Sequence, residues 1–382
     1  MEKVTIHPEV QELYQEMVQI RRTIHQKPEL FYDLPITSAF VAEYLTALGL
    51  EVTTGVGQSG VVGIKRGQGP TFLFRADMDA LPLQEMVESE FKSQHPGIMH
   101  ACGHDGHTAM LLIAAKVLSN KTLKGTIKFV FQPAEEGGLG AKAMVDDGVM
   151  EGVDEAYGIH VLPDVPLGDC LLNDDYMSAN SDELLVEFRG RGGHGSAPER
   201  AIDPMPAAAQ FITAVQTIVS RNVDPKYMAV VSICSVKAGE TYNVIPDRVT
   251  IKATIRSYEP EIRDLVTRRF DEIRVGVAAT FGLESSISYV QQLFSIVNKE
   301  PSVSRGLRAF QAVSTGTRRQ YKPLFGEDFG YFVLENPGCF IGIGTGSPGH
   351  DAMLHDSKFN LDERAMLIGA SWWVRLAENE LG

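Results

Sequence analysis

Apolar residues recur at helical spacing from the start of the chain. Val10, Leu13, Met17, Ile20 and Ile24 share one face and Pro28 ends the pattern, which predicts an opening amphipathic helix. Beyond it the period alternates. Residues 71–75 read as a buried strand, 108–118 as a helix, 125–131 as a second strand and 156–160 as a third. Strands and helices in turn predict an α/β fold on a mostly parallel sheet. From about Ser181 the rhythm changes to strand 184–189, helix 205–221, strands 227–236 and 248–256, helix 261–281 and strand 285–290. That β-α-β-β-α-β order predicts a ferredoxin-like α+β sandwich. Strand, helix and glycine-rich features resume after Pro301, with 339–344 as an apolar strand. The expectation is therefore a discontinuous domain of residues 1–180 and 293–382, with residues 181–292 inserted as a second domain.

Composition adds limits to this outline. A length of 382 residues exceeds what one hydrophobic core usually covers, which agrees with two domains. Acidic residues outnumber basic ones by 49 to 35, a net charge of −14, and this argues against nucleic acid as a partner. The four cysteines, Cys102, Cys170, Cys234 and Cys339, are scattered, so a reducing compartment is expected rather than a disulfide framework. No signal-like segment opens the chain, and the longest apolar run, 109–118, is interrupted by Lys116. A cytoplasmic protein with no membrane partner is the corresponding expectation.

The densest chemistry lies in His100-Ala101-Cys102-Gly103-His104-Asp105-Gly106-His107, just before the apolar helix. Imidazole and thiolate both suit zinc-like ions, and Cys102 and His104, two apart in an extended loop, can point to one side. Other candidates follow strands, where open α/β sheets bind their ligands. Glu135 and Glu136 are either a solvated acidic loop or a metal ligand beside a general base, the pairing that hydrolysis by water requires. Asp77 and Asp79 are either turn caps or carboxylates that orient a ligating histidine. His160 ends the third strand. His194, in a glycine-rich turn, is either a surface residue or a ligand contact. Asn243 and Arg256 also lie in the second block; Arg256 is either a solvated strand arginine or a two-pronged grip on a carboxylate. His350 and His355 follow the last strand, and either could complete a metal shell.

Taken in order, Arg75-Ala76-Asp77-Met78-Asp79-Ala80-Leu81-Pro82, His100 to Asp105, Gln132-Pro133-Ala134-Glu135-Glu136-Gly137-Gly138, Gly158-Ile159-His160, Gly193-His194 and Leu354-His355 resemble the M20 metallopeptidase family. The likeness is to its amidohydrolase branch of N-acyl-amino-acid and hippurate hydrolases, and it spans nearly the whole chain. The resemblance implies two divalent ions per subunit, zinc or manganese ahead of cobalt or nickel. They would be held by Cys102, His104, Glu136, His160 and His355, with the Cys102 thiolate as bridge. It implies Glu135 as general base, His194 and Asn243 assisting at the scissile carbonyl, Arg256 on the substrate carboxylate, and Asp77 completing the catalytic set by orienting a ligand. Many relatives carry histidine where this chain has Arg75 and aspartate where it has Cys102, so a softer bridging ligand should alter metal preference. The implied activity is hydrolysis of the amide of an N-acyl amino acid, acetylated, benzoylated or similar, by water activated at the metals. The inserted domain would serve as lid and as the contact of a homodimer or higher homo-oligomer. Rival readings are a dipeptidase or carboxypeptidase, or an N-acetyl-diaminopimelate deacetylase, on the same centre. A binding protein that has lost activity would lack one of these groups, and none is missing.

Overall fold

The computed structural model describes residues 4–382. Its contacts divide the chain into two compact units: residues up to Met177 with Ile296–Lys322 and Asp328–Gly382, and Ser178–Ser295 with Pro323–Glu327.

The first unit is built on an eight-stranded sheet. In spatial order its strands are β1 (Glu51–Val56), β2 (Gly60–Lys65), β4 (Thr126–Gln132), β3 (Thr71–Asp77), β5 (Glu155–Pro166), β14 (Gly338–Gly346), β6 (Cys170–Leu171) and β13 (Arg318–Arg319). The central four, β4-β3-β5-β14, are parallel. Parallel strands are buried on both faces, which is why β3, Thr-Phe-Leu-Phe-Arg-Ala-Asp, reads as an apolar run without alternation. One layer over the sheet comes from α4 (His104–Ser119) and α9 (Arg364–Leu381), with Trp373 of α9 stacked on Phe74 of β3 and Trp372 edge-on to Tyr157. Helix α4 is buried along nearly its whole length, so its pattern is apolar all round rather than amphipathic.

The second unit carries a separate antiparallel sheet in the order β12 (Glu284–Leu293), β7 (Asn180–Arg189), β11 (Arg248–Ser257) and β9 (Ala229–Lys237). Helices α6 (Pro204–Asn222) and α7 (Pro260–Phe281) complete the chain order β7, α6, β9, β11, α7, β12. Its core is an aromatic chain, with Phe211 edge-on to both Phe188 and Phe270 at centroid distances of 5.4 and 5.1 Å.

Two elements depart from the sequence pattern. The opening helix is two segments, α1 (Pro8–Glu12) and α2 (Tyr14–His25), separated at Leu13. Strand β5 runs on past His160 to Pro166 because β14 pairs with it as far as Leu162 and, after a register shift, again at Pro166, whereas β3 pairs with it only as far as Gly158. His160 thus sits mid-strand, just beyond the point where its neighbour on one side has ended.

Candidate metal centre

Several segments of the first unit deliver acid, thiol and imidazole groups to one place. Strand β3 ends in Asp77, followed by Asp79, and both carboxylates are fully buried. After β4 the chain turns sharply at Ala134, which adopts φ +52° and donates its N–H to the Phe31 carbonyl at 3.0 Å. The turn is so tight that a methyl group on Gly140 would lie 1.6 Å from the Pro133 carbonyl oxygen, so only glycine fits. Glu135 and Glu136 are fixed at its start: their N–H groups donate to the two oxygens of Asp79, at 3.0 and 3.1 Å. Gly103, at φ +90°, precedes His104, the first residue of α4. His355, also left-handed at φ +63°, donates its N–H to the Ala101 carbonyl at 2.8 Å.

The imidazoles are oriented by carbonyl oxygens, which only accept hydrogen bonds. His104 Nδ1 lies 2.9 Å from the Asp79 carbonyl and His160 Nδ1 2.8 Å from that of Val161. In both rings Nδ1 therefore carries a proton and Nε2 is the atom left free to bind a metal. His160 Nε2 is 3.4 Å from Cys102 Sγ, and His355 Nε2 is 3.1 Å from Glu136 Oε1. Donor atoms within 4.8 Å of one another form the groups Cys102–His104–His160, Cys102–Glu136–His355 and His104–Glu135–Glu136. Cys102 belongs to the first two, as a bridging ligand must.

Among the described residues His104 Nε2 is buried without a hydrogen-bond partner, which costs about 1–3 kcal/mol. It lies 4.0 Å from Glu136 Oε1, the carboxylate oxygen that faces His355 Nε2. A divalent cation satisfies the orphaned nitrogen and can take that carboxylate and imidazole as further ligands, so the residues present fit one.

The sequence pattern of Peptidase family M20/M25/M40 matches residues 73–379. The chain belongs to this family. As an M20 protein it is a hydrolase acting on amide bonds. It is similar to a hippurate hydrolase of Campylobacter jejuni subsp. jejuni serotype O:2, 40% identical over 377 residues that cover 97% of this chain and 98% of that one. Thermostable carboxypeptidase 2 of Saccharolobus solfataricus is 39% identical over 373 residues, 95% of this chain and 94% of its own. Among solved structures, the YXEP protein of Bacillus subtilis, a dinuclear metal binding peptidase from the M20 family, superposes with a TM-score of 0.82 at 31% identity, covering 97% of this chain and 99% of that one.

The electrostatics of this M20 site favour positive charge. Burial lowers the pKa of His104, but the carboxylates of Asp77, Asp79 and Glu136 outweigh it and push the ring up to about 10. Burial and the neighbouring Glu136, Glu135 and Asp77 raise the Cys102 thiol well above its ordinary value. A divalent ion reverses that balance, since it binds the thiolate rather than the thiol. Burial would raise Asp77, yet His104, Arg75 and His107 hold it well below the usual carboxylate range.

Residues expected to act together divide between the two units. His194, Asn243 and Arg256 stand in the second. There His194 on β8 (Gly193–His194) pairs with Val244 on β10 (Val244–Ile245), and Gly195 donates to the Asn243 carbonyl at 2.8 Å. His194 Nδ1 accepts the Ser196 N–H at 3.1 Å, so the neutral ring carries its proton on exposed Nε2. Arg256 is half-buried and donates to Thr254 Oγ1. In the first unit, His350 is turned to the Asn360 carbonyl, away from every donor group. Asp77 hydrogen-bonds His107 rather than His104: its Oδ1 accepts from His107 Nδ1 at 2.6 Å, while Oδ2 lies 3.6 Å from His104 Nε2. His107, unassigned from sequence, accepts the Val161 N–H on Nε2 at 3.1 Å and meets the His160 ring edge-on at 4.8 Å. It ties β3 to β5 beside His160. Its spacing of three from His104, one face of a helix, was the signal available. His100 is buried with both ring nitrogens unpartnered and belongs to none of the donor groups. A turn, Ala101 N–H to Met99 O at 3.1 Å, breaks the alternation that would have aligned it with Cys102.

Proposed function

We propose that the protein removes the acyl group from N-acyl amino acids, releasing a carboxylic acid and a free amino acid, with two divalent ions held by Cys102, His104, Glu136, His160 and His355. The observation that carries this reading is the pair of donor groups sharing Cys102, with His104 Nε2 unpartnered in one and Glu136 facing His355 in the other. A thiolate, three imidazoles and a carboxylate form a borderline-soft set, which suits zinc or manganese and accommodates cobalt or nickel. When bound, such ions polarise the acyl carbonyl and acidify a water molecule.

The chain's own groups handle the proton and the developing charge. Glu135, anchored through its backbone by Asp79, takes the proton of the attacking water and returns it to the leaving amine nitrogen. His194 presents Nε2–H as a donor to the oxyanion that forms at the carbonyl, and Asn243 assists there. Arg256 holds the amino-acid carboxylate. The second unit serves as lid and dimer contact; β9 is an edge strand of its sheet and exposes Val236, a surface suited to pairing with a second copy.

The test is a panel of N-acetyl, N-benzoyl and indole-conjugated amino acids against dipeptides, run on metal-stripped and metal-restored protein. Acyl-amino-acid hydrolysis that returns with zinc or manganese is expected. A faster rate on dipeptides would favour the carboxypeptidase or dipeptidase reading, which the 39% identity to thermostable carboxypeptidase 2 keeps in play. No hydrolysis of either class by the restored protein would end the proposal.

A further inference from the structure

Phe31 carries two costs that its neighbours do not explain. Its backbone adopts φ +52°, a conformation that bulky side chains rarely take, and the residue is 39% exposed. A singly exposed aromatic is ordinary, and so is one strained turn; both together beside a reactive site are not.

The backbone that carries the ring is well fixed. Leu30 bridges to Ala80, and Asp33 donates its N–H to the Leu30 carbonyl at 3.0 Å, closing a turn over Phe31 and Tyr32. Tyr32 donates its hydroxyl to the Gly138 carbonyl at 2.6 Å, and the Phe31 carbonyl takes the Ala134 N–H. These bonds clamp the turn onto the loop that bears Glu135 and Glu136. The ring edge then lies 3.8 Å from where a Gly137 side chain would begin, one residue beyond Glu136. Glycine at 137 leaves that edge uncovered.

Charge decides which part of a substrate meets the ring. Between Pro28 and Thr37 the only charged residues are Glu29 and Asp33, and between Gln132 and Leu139 only Glu135 and Glu136. An amino-acid carboxylate finds no cation on either segment, whereas an uncharged acyl group finds an apolar face.

We propose that Phe31 is a specificity-determining residue whose strained, exposed ring forms one wall for an aromatic acyl group beside the metal centre. This rests on the amidohydrolase reading above. The experiment compares kcat/KM for N-benzoylglycine and N-acetylglycine in the wild type, Phe31→Gly and Phe31→Leu. The benzoyl-to-acetyl ratio should fall about tenfold in Phe31→Gly and less in Phe31→Leu, as expected for lost apolar contact in the transition state. Because glycine relieves the left-handed strain, the Tm of Phe31→Gly should not fall. Where the wild type cleaves both substrates, a ratio unchanged in the variants, or a parallel loss on both together with a lowered Tm, would overturn the assignment alone. A metal-loaded wild type that cleaves neither would overturn the amidohydrolase reading and this inference with it.

Discussion

Glu135 and Asp79 illustrate how much of the site is set by single side chains. Replacing Glu135 by Gln keeps the shape and the backbone bond to Asp79 but removes the proton acceptor. Turnover should fall about 10²–10⁴-fold, with metal content unchanged by elemental analysis; retained turnover would contradict the assigned base. Asp79→Ala acts differently. It strands the N–H groups of Glu135 and Glu136, at about 1–3 kcal/mol each, so denaturant unfolding should show a clear loss of stability. At this scale much was legible in the sequence, because Cys102, His104, Glu135, Glu136 and His160 are types that bind metals or move protons and each sits near a predicted strand or helix end. What was not legible is who bonds whom. Asp77 and Asp79 looked equivalent, yet one engages His107 and Arg75 while the other grips the backbone of the glutamate loop. The bonds to His107 and to the glutamate loop leave no trace in spacing, because they join segments far apart in the chain.

Between elements, the decisive feature is the turn after β4. Gly140→Ala would drive a methyl group into the Pro133 carbonyl, so the loop must shift and carry Glu135 and Glu136 with it. A loss of about 1–3 kcal/mol or more is expected for such overpacking, and thermal unfolding measured beside metal content should show both decline together. A variant that keeps its full metal complement would show that the loop's path does not set the donors. The positions of β3, β4 and α4 were readable from apolar period alone, since these are buried runs flanked by polar residues, whereas β1 and β2 were not read from the sequence. Ends were less so. Strand β5 outruns its apolar signal because its last residues are held by pairing to β14, a contact that local pattern does not encode. The break at Leu13 is equally invisible, because the apolar spacing continues through it.

For the molecule as a whole, the carboxylates of Asp77, Asp79, Glu135 and Glu136 lie close together in the first unit of a chain already at −14. A bound divalent ion offsets that charge and stabilises the folded state by mass action, about 2.7 kcal/mol at a hundredfold excess over Kd. Stripping with chelator should lower Tm by several degrees, and titrating metal back should raise it with the logarithm of concentration; a Tm indifferent to metal would argue against a structural share for the ions. The division into a parallel-sheet unit and an antiparallel one could be read from the change of rhythm near Ser181. Segment Pro323–Glu327, which joins the second unit from far along the chain, could not. His355 reaches back to within 3.1 Å of Glu136, and β14, the strand that precedes it in the chain, zips onto β5 across a long excursion of sequence. A chain still emerging from the ribosome therefore lacks this contact until residue 355 has been made and has left the exit tunnel, and any product terminated before it is born unable to form it.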